Sequence, residues 1–156
     1  MRIAVACDHG GFPLKSPIVE LIEKLGHEVV DLGAYDFEPL DDYPDFAEKA
    51  GKAVSSGDAE RAIIICGSGV GACIAANKIV GVRASVCHDA YSAHQGVEHD
   101  DMNTLCLGAR IVGSELALEV VKHFVQSTFT GEDRHRRRLE KVRQIERNNL
   151  TPESVR

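Results

Sequence analysis

Residues 62–71 read Ala-Ile-Ile-Ile-Cys-Gly-Ser-Gly-Val-Gly, and the fold follows from them. Residues 62–66 form a short, wholly apolar run rich in β-branched side chains, the signature of a strand buried on both faces. Three glycines at alternate positions then break the run, and residues 71–78 resume with helical spacing. Strand, glycine turn and helix in that order make half of a βαβ unit. Working outward, the same alternation recurs along the chain. Strands are expected at 2–7, 27–31, 83–87 and 104–107, and helices at 12–25, 43–56, 90–98 and 114–127. The helix at 12–25 carries its apolar stripe on Leu14, Ile18, Leu21, Ile22 and Leu25. The pattern predicts an α/β protein with a five-stranded parallel sheet, and residues 1–148 as one domain. A last amphipathic helix at about 134–147, with Leu139, Val142 and Ile145 at helical spacing, would dock on its own domain or on a second copy. Residues 149–156 read as a disordered tail.

The totals exclude several functions. No apolar run approaches the ~20 residues of a membrane span, and no signal-like segment opens the chain. A soluble, cytoplasmic protein without a membrane partner is expected. The net charge of −6 over 156 residues argues against nucleic acid, whose phosphates are held chiefly by Lys and Arg. Yet six arginines fall between Arg134 and Arg147, and such a patch suits a small anion. The five cysteines, Cys7, Cys66, Cys73, Cys87 and Cys106, contain no CxxC pair, so neither a zinc site nor a dithiol redox motif is indicated.

In open parallel sheets, ligands bind beyond the carboxyl ends of strands, where strand order reverses. Strand one ends in Cys7-Asp8-His9-Gly10-Gly11 and strand three in Cys66-Gly67-Ser68-Gly69-Val70-Gly71. Glycine at 67, 69 and 71 lets the backbone turn its N–H groups inward, a nest for an anion. A thiol at its lip would be activated, and the same amides could stabilise an oxyanion. Three rival readings fail on single residues. A P-loop ends in Gly-Lys-Ser/Thr, whereas Ala72 follows Gly71. A dinucleotide fingerprint is GxGxxG after the first strand, and a cysteine phosphatase closes its loop with arginine. A tight turn with an incidental cysteine remains the plain alternative.

Asp8 and His9 would stand beside Cys66 if strands one and three flank the switch point; otherwise Asp8 merely caps a turn. His99 ends a helix, where the dipole favours an imidazolium, or is an ordinary surface histidine. His88, His94 and His123 read as structural. No HxH or HxxxH spacing points to a metal. Arg134 and Arg138, four apart with His135 between them, can form a phosphate clamp on one helical face or a solvated charged surface.

Taken together, Cys-Asp-His-Gly-Gly at 7–11, Asp42-Tyr43-Pro44, the loop at 66–71, Ala75-Ala76-Asn77-Lys78, the segment from His99 to Asn103, Gly108-Ala109-Arg110 and Arg134-His135 resemble the ribose-5-phosphate isomerase B family over residues 1–148. The wider family includes allose- and galactose-6-phosphate isomerases. The resemblance implies a Rossmann-like three-layer α/β/α sandwich acting on a small phosphorylated sugar without metal or cofactor, as a homodimer or homotetramer with sites at subunit interfaces. It also implies Cys66 as the base that forms a cis-enediolate, with Ser68 handling protons at the oxygens. His99 would open the furanose ring, assisted by Asp8, and Gly67, Gly69, Val70 and Gly71 would form the anion hole. His9, Arg110, Arg134 and Arg138 match phosphate-binding positions, and Tyr43 lies at the site edge. One branch replaces the cysteine with a Glu just after the loop, where this chain has Ala72. Asp100 stands where many members carry Asn; an amide can donate to a sugar oxygen, and a carboxylate only accepts.

Overall fold

The structure, a computed structural model, describes residues 1–150. Its order is β1 (Arg2–Cys7), α1 (Phe12–Lys24), β2 (Glu28–Asp31), α2 (Tyr43–Ser56), β3 (Arg61–Cys66), α3 (Val70–Ala76), β4 (Ala84–Val86), α4 (Ala90–Asp100), β5 (Thr104–Gly108), α5 (Ser114–Gln126) and α6 (Asp133–Leu150). All five strands are parallel, in the order β2-β1-β3-β5-β4. The expected elements are therefore present with boundaries moved by a few residues. β4 loses a residue at each end, and α3 starts at Val70 rather than 71. α6 runs past the expected end at 147, so positions 149 and 150 are helical; the rest of the expected tail, 151–156, lies outside the described residues.

Side chains alternate across the sheet as the pleat requires. Ile3, Val5, Cys7, Ile63, Ile65, Leu105 and Leu107 point to one face, where Ile18 and Ile22 of α1 and Val120, Val121 and Phe124 of α5 cover them. Ala4, Ala6, Ile64, Cys66 and Cys106 point to the other, under Ala47, Ala50 and Ala53 of α2 and Ala72 and Ala76 of α3. The second layer is built from small residues, which bring α2 and α3 close to the strands. Its consequence is functional: Cys66, last residue of β3, is aimed toward the α2–α3 side and is only 5% exposed.

α6 turns His135 and Leu139 inward, both buried, while Val142 and Ile145 remain exposed. It is tied down by Glu146, whose carboxylate accepts the Gly81 N–H at 2.8 Å, and by Arg143, 3.6 Å from Asp101. Among the described residues, no helix is long and apolar enough to cross a membrane.

Candidate active site

Strand order reverses at β1, which pairs with β2 on one side and β3 on the other, so the crevice beyond β1 and β3 is where a ligand is expected. Cys7 pairs with Ile65, and the Asp8 N–H donates to the Ile65 carbonyl at 3.3 Å. The loops after the two strands touch: a Cβ on Gly10 would lie 2.9 Å from the Gly67 nitrogen. Asp8 and His9 therefore stand next to Cys66, as the switch-point reading requires.

The glycine loop uses its amides more locally than the sequence suggests. The Gly69 N–H donates to the Cys66 sulfur at 3.0 Å, which fixes the direction of the thiol. The Val70 N–H donates to Ser68 Oγ at 3.3 Å. Gly69 sits at φ +82°, a left-handed conformation that favours glycine, and this turn bends the chain so that its amide can reach back to the sulfur. Tyr43, at the start of α2, lies close against the loop, since a Cβ on Gly71 would come 2.7 Å from its ring. On the other side the Arg110 side chain lies 3.6 Å from where a Gly67 Cβ would be, and the Arg110 N–H donates to the Gly67 carbonyl at 3.0 Å. The Gly108 N–H donates to His88 Nε2 at 3.1 Å, which braces the end of β5.

Asp8 is buried and closes the first turn, with Oδ1 accepting the Gly11 N–H at 3.0 Å. His9 is tethered by Asp41: a single carboxylate oxygen accepts the His9 backbone N–H at 3.0 Å and lies 2.6 Å from His9 Nδ1. Asp8, His9 and Asp41 also form the one group among the described residues whose ligand atoms lie close enough together, within 4.8 Å, to hold a metal ion. The short Nδ1–H···O bond occupies two of the three, because a carboxylate can only accept it. A cation bound through Nδ1 would have to displace that proton.

The remaining expected residues lie elsewhere. α4 leaves the carboxyl end of β4 and runs back to the amino end of β5, so His99 and Asp100 are next to the start of the sheet. Asn103, just beyond them, accepts the Ala62 N–H through its carbonyl at 2.9 Å. Since Ala62 pairs with Thr104 and Cys66 with Gly108, the two ends are about 13 Å apart along the strands. His99 stacks on His135 of α6, with ring centroids 4.2 Å apart and planes tilted by 31°. His135 Nδ1 lies 2.7 Å from Thr130 Oγ1, whose hydroxyl donates to the Glu98 carbonyl at 3.1 Å. Burial, and then the neighbouring His99, hold the His135 imidazole below its ordinary range. Arg134 is on the solvent side, paired with Glu132 at 2.8 Å, so His135 does not share the arginine face, as i,i+3 spacing had suggested. Within one chain the expected residues thus form two groups: Asp8, His9, Tyr43, Cys66, Ser68, the loop glycines and Arg110 at one end, and His99, Asp100, Arg134 and Arg138 with the α4–α6 group.

The cysteines separate by environment. Burial pushes the Cys7 thiol up to about 11 and raises Cys87, as befits packing residues. Cys73 is pulled down to about 7, chiefly by the Cys106 thiol beside it, with the Val86 backbone and Asn77 assisting against burial. Spacing along the chain had no means of singling it out.

The fold is shared with known proteins. The model of the ribose/galactose isomerase family matches residues 3–142. This chain belongs to that family. Ribose-5-phosphate isomerase B of Escherichia coli strain K12 is 43% identical over 145 residues, covering 93% of this chain and 96% of its own. A solved structure of ribose-5-phosphate isomerase B from Clostridium thermocellum superposes with a TM-score of 0.90 at 45% identity, over 95% of this chain and 99% of the other. The Mycoplasma genitalium enzyme, solved with bound ribulose-5-phosphate, gives 0.88 at 39% identity over 94% and 96%. The Rossmann-like α/β architecture is thus that of the family.

Proposed function

We propose that this chain interconverts ribose 5-phosphate and ribulose 5-phosphate without metal or cofactor. The reading is carried by one observation within a member of this family: a cysteine at the β1–β3 switch point whose sulfur is held by a loop amide at 3.0 Å. The Cys66 thiolate removes the proton from C2 of the open-chain aldose, and the electron pair forms the C1=C2 bond of a cis-enediolate. The thiol then delivers a proton to C1, while Ser68 moves the hydroxyl proton between O1 and O2. Loop amides stabilise the charge that builds on those oxygens. Ala72 is fully buried, so no carboxylate stands there to replace Cys66.

The complete site is a property of two copies. His99 opens the sugar ring and Arg134 and Arg138 hold phosphate, yet in one chain they sit away from Cys66; a partner supplies them. The apolar surface supports this. Val142 and Ile145 are more than half exposed and line an open groove of about 660 Å³ with Ser85, Ser92 and Leu139.

The hexose 6-phosphates are the second reading, left open by Asp100, which cannot donate to a sugar oxygen as an amide would. Comparing kcat/KM for ribose 5-phosphate, allose 6-phosphate and galactose 6-phosphate decides between them. The pentose is expected to lead by at least about tenfold, corresponding to about 1.4 kcal/mol of transition-state binding. The rates are expected to survive exhaustive chelation. A hexose preference would reassign the substrate, and loss of activity with chelator would implicate the Asp8–His9–Asp41 group as a metal site.

A further inference from the structure

The loop between β2 and α2, the one long irregular segment among the described residues, contributes two contacts to His9. Asp41 binds its backbone N–H and its Nδ1 through one oxygen. Phe37 meets the imidazole edge-on, with centroids 6.5 Å apart and planes at 86°, and is itself braced edge-on by Phe12 at 6.0 Å. The other Asp41 oxygen, Oδ2, is buried without a hydrogen-bond partner. A buried carboxylate normally gathers several donors; both donors reaching Asp41 come from His9.

We infer that Asp41 is a positioning residue that fixes the His9 ring with its proton on Nδ1 and leaves Nε2 as the nitrogen offered to the substrate phosphate. The inference rests on the phosphosugar reading of this site. An ionised carboxylate has no proton to give, so Nδ1 carries hydrogen whether the ring is neutral or charged. Nε2 then accepts from a protonated phosphate oxygen, or donates to an ionised one when the ring is charged. Without the tether the ring is free to rotate and to change tautomer, and phosphate loses a preorganised partner. The irregular loop thereby acquires a role, because it carries the clamp that aims His9.

The test uses the full chain and inorganic phosphate as probe, with imidazole ¹H–¹⁵N spectra assigned through His9→Gln. The wild-type His9 is expected as the Nδ1–H tautomer. In Asp41→Ala that signal is lost and the phosphate dissociation constant rises about tenfold, the size expected for a charge-assisted hydrogen bond. KM for ribose 5-phosphate rises in parallel, with kcat changed less than about threefold. In Asp41→Asn the amide oxygen still accepts, so the tautomer persists and phosphate binding stays within about threefold. In a His9→Gln background, Asp41→Ala adds no further loss. Wild-type His9 protonated on Nε2 alone, unchanged phosphate binding in Asp41→Ala, or the same loss with and without His9 would each overturn the inference. Should Asp41→Ala fail to fold, the wild-type tautomer and the Asn variant decide. A wild-type protein inactive on ribose 5-phosphate would sink the functional reading, while the tautomer and phosphate arms would still judge Asp41.

Discussion

Cys66→Ala protein should bind sugar phosphate normally and turn it over at least about 10³-fold more slowly, within the range of a lost general base. The reason is local. Cys66 ends β3 with its sulfur 3.0 Å from the Gly69 N–H, and the nearest alternative, position 72, is a buried alanine. Binding survives because the groups expected to hold phosphate, His9 and Arg110, are set by Asp41 and Gly67 rather than by the thiol. The fold survives as well, since the α2–α3 side of the sheet is already packed with alanines. A kcat/KM within about tenfold of wild type would remove Cys66 from the mechanism. Alkylation is a weaker test of the same point, because Cys73, held down to about 7, offers a second thiol to the reagent; it is informative only in a Cys73→Ser background.

Mixing two inactive proteins should restore activity. In the proposed two-chain site, Cys66→Ala and His99→Ala each break one half. When subunits of the two variants exchange freely into a symmetric dimer, half of the dimers are mixed. Each mixed dimer holds one intact site and one doubly broken site, so about one quarter of wild-type activity returns. The expectation follows from topology: α4 must run back along the sheet to start β5, and that start, just beyond His99, lies about 13 Å from the level of Cys66 along the strands. A mixture as inactive as its parents, in samples shown to contain mixed dimers, would mean that each chain works alone or that His99 acts elsewhere.

Much of the fold can be read along the chain because its physics is local. The runs at Arg2–Cys7 and Arg61–Cys66 are buried on both faces and so are apolar almost throughout, and α2 has the limits its pattern predicts, from Tyr43 to Ser56. β4 is the least legible strand: it is short, and Arg83 belongs to the turn, where it pairs with Asp101 at 2.7 Å. The site is legible where glycine spacing dictates a loop, at 66–71. It is not where a contact spans distant segments. Asp41 meets His9 across 32 positions through a loop without periodicity, and His135 reaches His99 only because α6 packs on α4. His99, Arg134 and Arg138 are legible along the chain as candidates, but only the parallel crossover through α4 explains why one chain keeps His99 apart from the thiol.

The most direct test of proton transfer at Cys66 is a ¹H NMR time course of ribose 5-phosphate with the protein in D2O, run alongside Cys66→Ala. The account predicts that wild-type protein produces ribulose 5-phosphate and washes the C2 proton into solvent in step with that conversion, and that the variant does neither. Saturable binding of the sugar phosphate with the C2 proton retained and no ketose formed would contradict it, and would leave a phosphosugar-binding protein in place of an isomerase.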